Sequence, residues 1–291
     1  MARIVGIRRV GTLGKARPCT VGLCNISTMA GVPLTEAQAR KLNANHAHRL
    51  RSCVPWSSAM KWTPELNLQA GTYKVLKLWP GIVASDAPVH ALEPGQFVDS
   101  PTQRFRYCVR LQRRGRPLLT WWGNQVGTVV FDGDVIIPAL YQAREDGPEG
   151  APPWNDAPWM SLTPAELMTL RPGTRMATGH TIIAGLGLGH QLIEVCKRLP
   201  VKRVTVVEQD QELVDWIMPA IKPHLRKRVD VVVGDAYEEI PRLKGDVALI
   251  DIFPGYGDGF RRVEEMRRAS PGIKKFWGWG TSEMTGLKQG R

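Results

Sequence analysis

From residue 181 onward, short apolar runs alternate regularly with segments long enough to form helices. This alternation constrains the fold more than any other feature of the chain. Strands that are joined by helices form a parallel, doubly wound sheet with right-handed crossovers. The expected strands are residues 181–184, 203–207, 229–233 and 246–250, and the expected helices are residues 190–199, 210–221 and 236–243.

The expected strands end in glycines or acids. The first runs into Gly185-Leu186-Gly187-Leu188-Gly189, and the next three end at Glu208, Asp235 and Asp251. Ligands of such sheets bind beyond the carboxyl ends of the strands. There the glycines would let the backbone approach a ligand closely. We expect Glu208 to accept from a ribose diol, Asp235 to accept from an adenine amino group, and Asp251 to face the reacting group.

The glycine spacing disfavours a dinucleotide. The pattern G-x-G-x-x-G needs a glycine where His190 stands, and the third glycine comes one residue early. This spacing favours a cofactor that has no pyrophosphate, which leaves NAD as the weaker alternative.

Four motifs follow one another along this region: GLGLG (185–189), VVEQD (206–210), GDAYE (234–238) and DVALIDIFP (246–254). In this order they resemble the class I S-adenosylmethionine-dependent methyltransferases. The resemblance implies S-adenosylmethionine as the cofactor. It places Gly185, Leu186, Gly187 and Gly189 at the methionine end, Glu208 and Gln209 at the ribose, Asp235 and Ala236 at the adenine, and Asp251, the catalytic candidate, nearest the transferred group.

The motifs depart from the family pattern at two positions. Ile183 stands two residues before the first glycine, where many members carry an acid, and an apolar residue there resembles the spermidine-synthase branch. That branch has a D-x-x-D-P segment, whereas the next acid after Asp251 in this chain is Asp258. Aminopropyl transfer is therefore the alternative. The chain is also similar to phage-encoded methyltransferase-like proteins, and we expect fewer than seven strands.

The region before the glycine loop shows the period-two alternation of antiparallel strands. In residues 104–111, apolar side chains alternate with arginines that form a candidate phosphate-binding or solvated face. Residues 117–122 are the expected returning strand of a hairpin, and residues 128–132 and 135–137 are expected to extend the meander. Thr163, Pro164 and Glu166 predict the start of a helix.

These patterns together predict an α/β protein. Its Rossmann-like, doubly wound and mostly parallel sheet is preceded by a small antiparallel β-rich region. The expected parts are a basic N-terminal arm and helix (1–60, with the helix at 35–52), the antiparallel region (61–142), a Pro/Gly linker (143–160) and a methyltransferase-like domain that binds S-adenosylmethionine (161–291).

The net charge of +12 is concentrated at the two ends of the chain. No acid precedes Glu36, whereas Arg3, Arg8, Arg9, Lys15 and Arg17 do. Such ends attract nucleic acid or another polyanion. A solvated terminus and an organelle transit peptide are the alternatives.

The cysteines indicate the compartment. Five cysteines, without an evident secretory start, favour reduced thiols in the cytoplasm. A zinc site at Cys19, Cys24, His46, His48 and Cys53 is a weak alternative because the spacing is loose, so we expect no metal. No apolar stretch approaches the roughly 20 residues of a membrane span.

The sequence therefore predicts an S-adenosylmethionine-dependent methyltransferase whose acceptor it does not identify. An aminopropyltransferase and a non-catalytic methyltransferase-like module are the alternatives. The oligomeric state stays open, with a homo-oligomer among the options.

Overall fold

The computed structural model describes residues 53–58, 62–122, 125–144, 153–155, 157–255 and 257–281. In these residues, a lobe of two small sheets precedes a five-stranded parallel sheet. The expected basic arm, the expected helix at 35–52 and four of the five candidate zinc ligands lie outside the described residues. Binding of a polyanion by the N-terminal arm therefore stays a prediction.

The strands and helices are named here in chain order. The strands of the first lobe are β1 (Glu65–Leu68), β2 (Phe97–Asp99), β3 (Phe105–Gln112), β4 (Leu118–Trp122), β5 (Gln125–Phe131), β6 (Val135–Gln142) and β7 (Met160–Ser161). The strands of the parallel sheet are β8 (Gly179–Ala184), β9 (Val201–Glu208), β10 (Arg228–Val233), β11 (Gly245–Ile250) and β12 (Ile273–Gly278). The helices are α1 (Pro164–Met176), α2 (His190–Cys196), α3 (Gln211–Ile221), α4 (Ala236–Glu239) and α5 (Gly259–Ala269).

The parallel sheet confirms the alternation of strands and helices. Its strand order is β10-β9-β8-β11-β12, and every neighbouring pair is parallel. The four expected strands are present with slightly shifted ends. Because the chain leaves β8 toward β9 and returns on the other side as β11, the switch point of the sheet lies between β8 and β11.

Strand β12 is a fifth strand that was not among those expected from the sequence. It pairs in parallel with β11. Successive side chains of a strand point to opposite faces, so Phe276 joins the apolar cluster on one side of the sheet and Trp277 the cluster on the other. Burial on both faces gives β12 no simple alternation of apolar and polar residues.

The expected antiparallel meander is wrong in its pairing. Strand β3 pairs with β6, and β4 pairs with β5, so the chain crosses between two sheets at residues 113–116 and again at residues 132–134. The sheet orders are β2-β3-β6-β7 and β1-β5-β4, with β1 parallel to β5. Tyr107 on β3 and Phe131 on β5 are both fully buried and belong to one apolar cluster. The two sheets therefore pack against each other through such side chains, and the pairing of the strands follows this packing.

The arginines of the expected face have partners within the protein, and Arg104, just before β3, is half exposed and forms an ion pair with Asp210 at 2.6 Å. Arg106 forms an ion pair with Asp99, with 2.7 Å between Nε and Oδ1, and its guanidinium lies over the rings of Phe97 and Trp154. Arg110 donates to the backbone carbonyl of Ala87. Both side chains therefore have partners within the lobe, and whether the face binds phosphate stays a prediction.

The two lobes share one core. Buried apolar residues from β1 through β12 form a single cluster, and α1 contacts both β4 and β11. The expected N-cap of α1 is confirmed, because Thr163 Oγ1 accepts from the amide of Glu166 at 3.4 Å. Strand β7, at the end of the expected linker, pairs with β6. The domain boundaries stay a prediction.

Candidate functional site

A cavity of about 690 Å³ lies between the carboxyl ends of the parallel strands and the antiparallel lobe. This volume falls within the range of about 300–1,000 Å³ that is usual for small-molecule sites. The parallel sheet contributes Gly185, Leu186, Gly187, Glu208, Gln209, Asp235, Ala236 and Asp251. Of the residues expected from sequence to bind a ligand, only Gly189 is not part of the cavity wall.

The glycine loop owes its path to three residues with positive φ. At Gly185 (φ +93°) a Cβ atom would lie 2.3 Å from the carbonyl oxygen of Asp251, and at Gly187 (φ +49°) it would lie 2.2 Å from Met160 Sδ. Gly189 (φ +70°) begins α2 and faces Ile221, so its role in the free protein is packing. Glycine is the residue that fits such close approaches.

Glu208 holds the glycine loop in place by hydrogen bonding. Its side chain is only 6% exposed. Oε2 accepts from the amide of Leu186 at 2.7 Å, and Oε1 accepts from the amide of Asp210 at 3.0 Å. Each carboxylate oxygen has a second lone pair, so these bonds leave Glu208 able to accept further hydrogen bonds from a ligand.

Asp235 lies at the exposed side of the cavity. Its Oδ1 accepts from the amide of Tyr237 at 2.8 Å and so caps α4. Its Oδ2 forms no hydrogen bond with any residue that the structure describes. The ring of Tyr237 lies 5.9 Å from the guanidinium of Arg262, and both side chains line the cavity.

Asp251 follows β11 and faces the cavity together with Glu166 from the first turn of α1. Burial raises the pKa of the Asp251 carboxyl to about 7. Burial, and next the neighbouring charge of Asp251, raises the pKa of Glu166 to about 8. The sequence reading assigned Glu166 only to the helix start, because an acid in a first helical turn is commonly a capping residue.

Gln191 and His190 begin α2 and also line the cavity. Burial lowers the pKa of His190 to about 4, so its imidazole is neutral. Gln191 is 7% exposed, and neither Nε2 nor Oε1 of its amide has a hydrogen-bond partner. Nothing in the local sequence marked Gln191 as a buried residue of the cavity wall.

The antiparallel lobe supplies the opposite wall of the cavity, which includes three aromatic side chains. Trp121 and Tyr141 line it, and Trp159, which is 43% exposed, stacks on Phe105. Trp122 points to the other face of β4 and stacks on Trp62. The two adjacent tryptophans therefore face opposite sides of the strand.

Two negative findings concern the described part of the chain. No group of three or more His, Cys, Asp or Glu residues there is arranged to hold a metal ion. No helix there is both long enough and apolar enough to cross a membrane.

No protein-family model matches the chain, and no curated protein matches it. Solved structures do match, over little more than a third of the chain. A methyltransferase from Geobacter sulfurreducens in complex with S-adenosyl-L-homocysteine is 24% identical, with a TM-score of 0.30 over 38% of this chain and 47% of that one. Its counterpart from Thiobacillus denitrificans is 23% identical, with the same TM-score and the same coverage.

A dimethyladenosine transferase from Plasmodium falciparum is 15% identical, with a TM-score of 0.29 over 36% of each chain. The match spans less than two thirds of the length of each of these proteins. The function of this chain is therefore inferred from its own cavity.

Proposed function

We propose that this protein is a methyltransferase that uses S-adenosylmethionine and acts on an acceptor of unknown identity. One observation carries the proposal. The glycine loop, Glu208, Asp235 and Asp251 come from four different strand ends and converge on one cavity at the switch point of a parallel sheet. This edge is where sheets of this kind bind their ligands.

The cavity residues fit the chemical groups of this cofactor. Glu208 has lone pairs to accept from the ribose hydroxyls, and Asp235 Oδ2 is available to accept from the adenine amino group. Gly185 and Gly187 leave backbone surface where a side chain would clash. When bound, the cofactor supplies a methyl group on a positively charged sulfonium.

The chain's own residues would contribute mainly positioning, which accounts for much of the rate of a displacement reaction. The acceptor would bind between the strand ends and the aromatic wall that contains Trp121 and Tyr141. Asp251 has a pKa raised to about 7, so it can take a proton from the acceptor near neutral pH.

Calorimetric titration with S-adenosylmethionine tests the proposal. We expect one site per chain in the wild type, and no binding in Glu208→Gln, which keeps the size of the side chain but removes its charge. Glu238→Gln is the matched control, because Glu238 is exposed and lies outside the cavity wall. Absence of binding to the wild type at millimolar ligand would contradict the proposal and favour a non-catalytic module.

The choice of ligand distinguishes aminopropyl transfer from methyl transfer. A methyltransferase should prefer the intact cofactor, whereas an aminopropyltransferase should prefer its decarboxylated form. Tighter binding of the decarboxylated form would favour aminopropyl transfer over methyl transfer as the function of the protein.

A further inference from the structure

Two carboxyl groups of the cavity wall, those of Glu166 and Asp251, have no cationic partner among the described residues. Glu166 Oε2 accepts from the amide of Ser161 at 3.1 Å and lies 3.4 Å from Ser161 Oγ. The Asp251 side chain forms no hydrogen bond or ion pair with any described residue. Both carboxyl groups are buried, and the charge of Asp251 contributes to the raised pKa of Glu166. A buried pair of acids without a cation favours a ligand that brings positive charge.

The groups around the pair do not neutralise it. His190 is uncharged at neutral pH. Tyr73 donates its hydroxyl to the carbonyl of Leu162, and burial, together with the charge of Glu166, raises its pKa. The other charged or titratable groups on the cavity wall, among the described residues, are Asp86, Arg110, Tyr141, Glu208, Asp235, Tyr237 and Arg262.

The two arginines of that wall have other partners. Arg110 donates to backbone carbonyls of residues 86 and 87, and Arg262 lies over the ring of Tyr237. Neither guanidinium forms an ion pair with Glu166 or Asp251 within the described ranges.

Gln191 is an independent sign that a polar ligand binds here. Its amide is more than nine-tenths buried and lines the same cavity, yet its donor and its acceptor are both unused. A buried amide without partners costs free energy, and groups of this kind in native proteins call for an explanation. A ligand that hydrogen-bonds to the amide would remove this cost.

We propose that Glu166, Asp251 and Gln191 form a subsite for the positive charge of the cofactor, so that the protein binds the sulfonium form more tightly than the uncharged thioether product. This inference rests on the proposed function. Asp251 adjoins the glycine loop, because its amide donates to the carbonyl of Ala184 at 3.0 Å. A charge on the cofactor sulfur would therefore be bound next to the carboxyl pair.

The subsite would make the thioether product dissociate more readily than the cofactor. Methyl transfer leaves the electron pair of the broken carbon–sulfur bond on sulfur, and the positive charge passes to the acceptor with the methyl group. The carboxyl pair then loses its cationic partner, and Asp251 takes the proton that the methylated acceptor gives up. The product is held less tightly than the cofactor by the amount of this lost attraction.

The test compares the dissociation constants of S-adenosylmethionine and S-adenosylhomocysteine by calorimetry. Their adenosine, amino and carboxylate groups are the same, and the titration of each free ligand contributes equally in every protein variant, so the comparison of variants isolates the carboxyl pair. Ionisation of the pair between about pH 6 and about pH 8.5 should raise the preference for the sulfonium form by at least about tenfold. Glu166→Gln should make this rise smaller, because only Asp251 then ionises in this pH range, whereas the exposed control Glu238→Gln should retain the full rise.

Asp251→Asn is the second variant, for use if Glu166→Gln does not fold. A preference that is the same at both pH values in the wild type, or that rises equally in the Glu166 and Glu238 variants, would overturn the inference while leaving the proposed function intact. If the wild type binds neither ligand, the proposed function itself fails.

Discussion

Replacing Gln191 by methionine should stabilise the free protein and weaken its binding of the cofactor. Methionine has nearly the shape of glutamine but no groups that require hydrogen bonds. A buried polar group without a partner costs about 1–3 kcal/mol, so Gln191→Met should raise the free energy of unfolding by about this amount. The structure supports this sign because both polar atoms of the amide lack partners.

Gln112 provides a matched control. It is 6% exposed, close to the 7% of Gln191, but its Nε2 donates to the carbonyl of Arg116 at 2.7 Å. Gln112→Met should therefore lower the free energy of unfolding by about 0.5–1.5 kcal/mol. Urea unfolding at neutral pH measures both variants, and calorimetry measures the affinity for S-adenosylmethionine. If Gln191→Met is destabilised like Gln112→Met, or binds the cofactor as well as the wild type, the assignment of Gln191 to the ligand is wrong.

Three further substitutions test the site. Gly185→Ala would place a Cβ atom 2.3 Å from a backbone oxygen, so it should lower the free energy of unfolding by at least about 2 kcal/mol. Gly71→Ala is the control: its Cβ atom would meet no atom within 4 Å, so it should change the free energy of unfolding by less than about 0.5 kcal/mol in the same urea assay. Glu208→Gln loses one of two charge-assisted hydrogen bonds and should lower the free energy of unfolding by about 1.5–3 kcal/mol; stability equal to that of Glu238→Gln would refute the bracing role. Glu166, whose pKa is raised to about 8, binds its proton more tightly in the folded state, so wild-type stability should fall relative to Glu166→Gln as the pH rises from about 5 to about 8; parallel pH–stability curves would contradict this.

The parallel sheet could be predicted from the sequence because each of its first four strands is a local signal. Apolar runs, glycine turns and helical spacers follow one another between residues 181 and 251, and these signals do not depend on distant parts of the chain. The acids at the strand ends were found for the same reason. The connectivity of the sheet then brings them together.

The division of the first lobe into two sheets could not be predicted in this way. Residues Asp132–Asp134 have the composition of a hairpin turn, yet β5 and β6 enter different sheets. The choice of partner depends on which apolar faces pack together, and that information is not local.

Glu166 and Gln191 were missed for a related reason. Each lies near a helix start, where a polar residue is usually solvated or caps the helix. Both line the cavity between the two lobes, and Glu166 accepts from Ser161 of the antiparallel lobe. The polar groups that carry the most information about the ligand are therefore those whose surroundings come from another part of the chain.

A crystal structure of the protein with S-adenosylhomocysteine would test the central claim most directly. The account predicts that the ligand occupies the cavity at the strand ends, with its ribose hydroxyls donating to Glu208 and its adenine beside Asp235 and Ala236. A ligand bound away from Glu208, or an unchanged cavity in crystals soaked at saturating concentration, would contradict it.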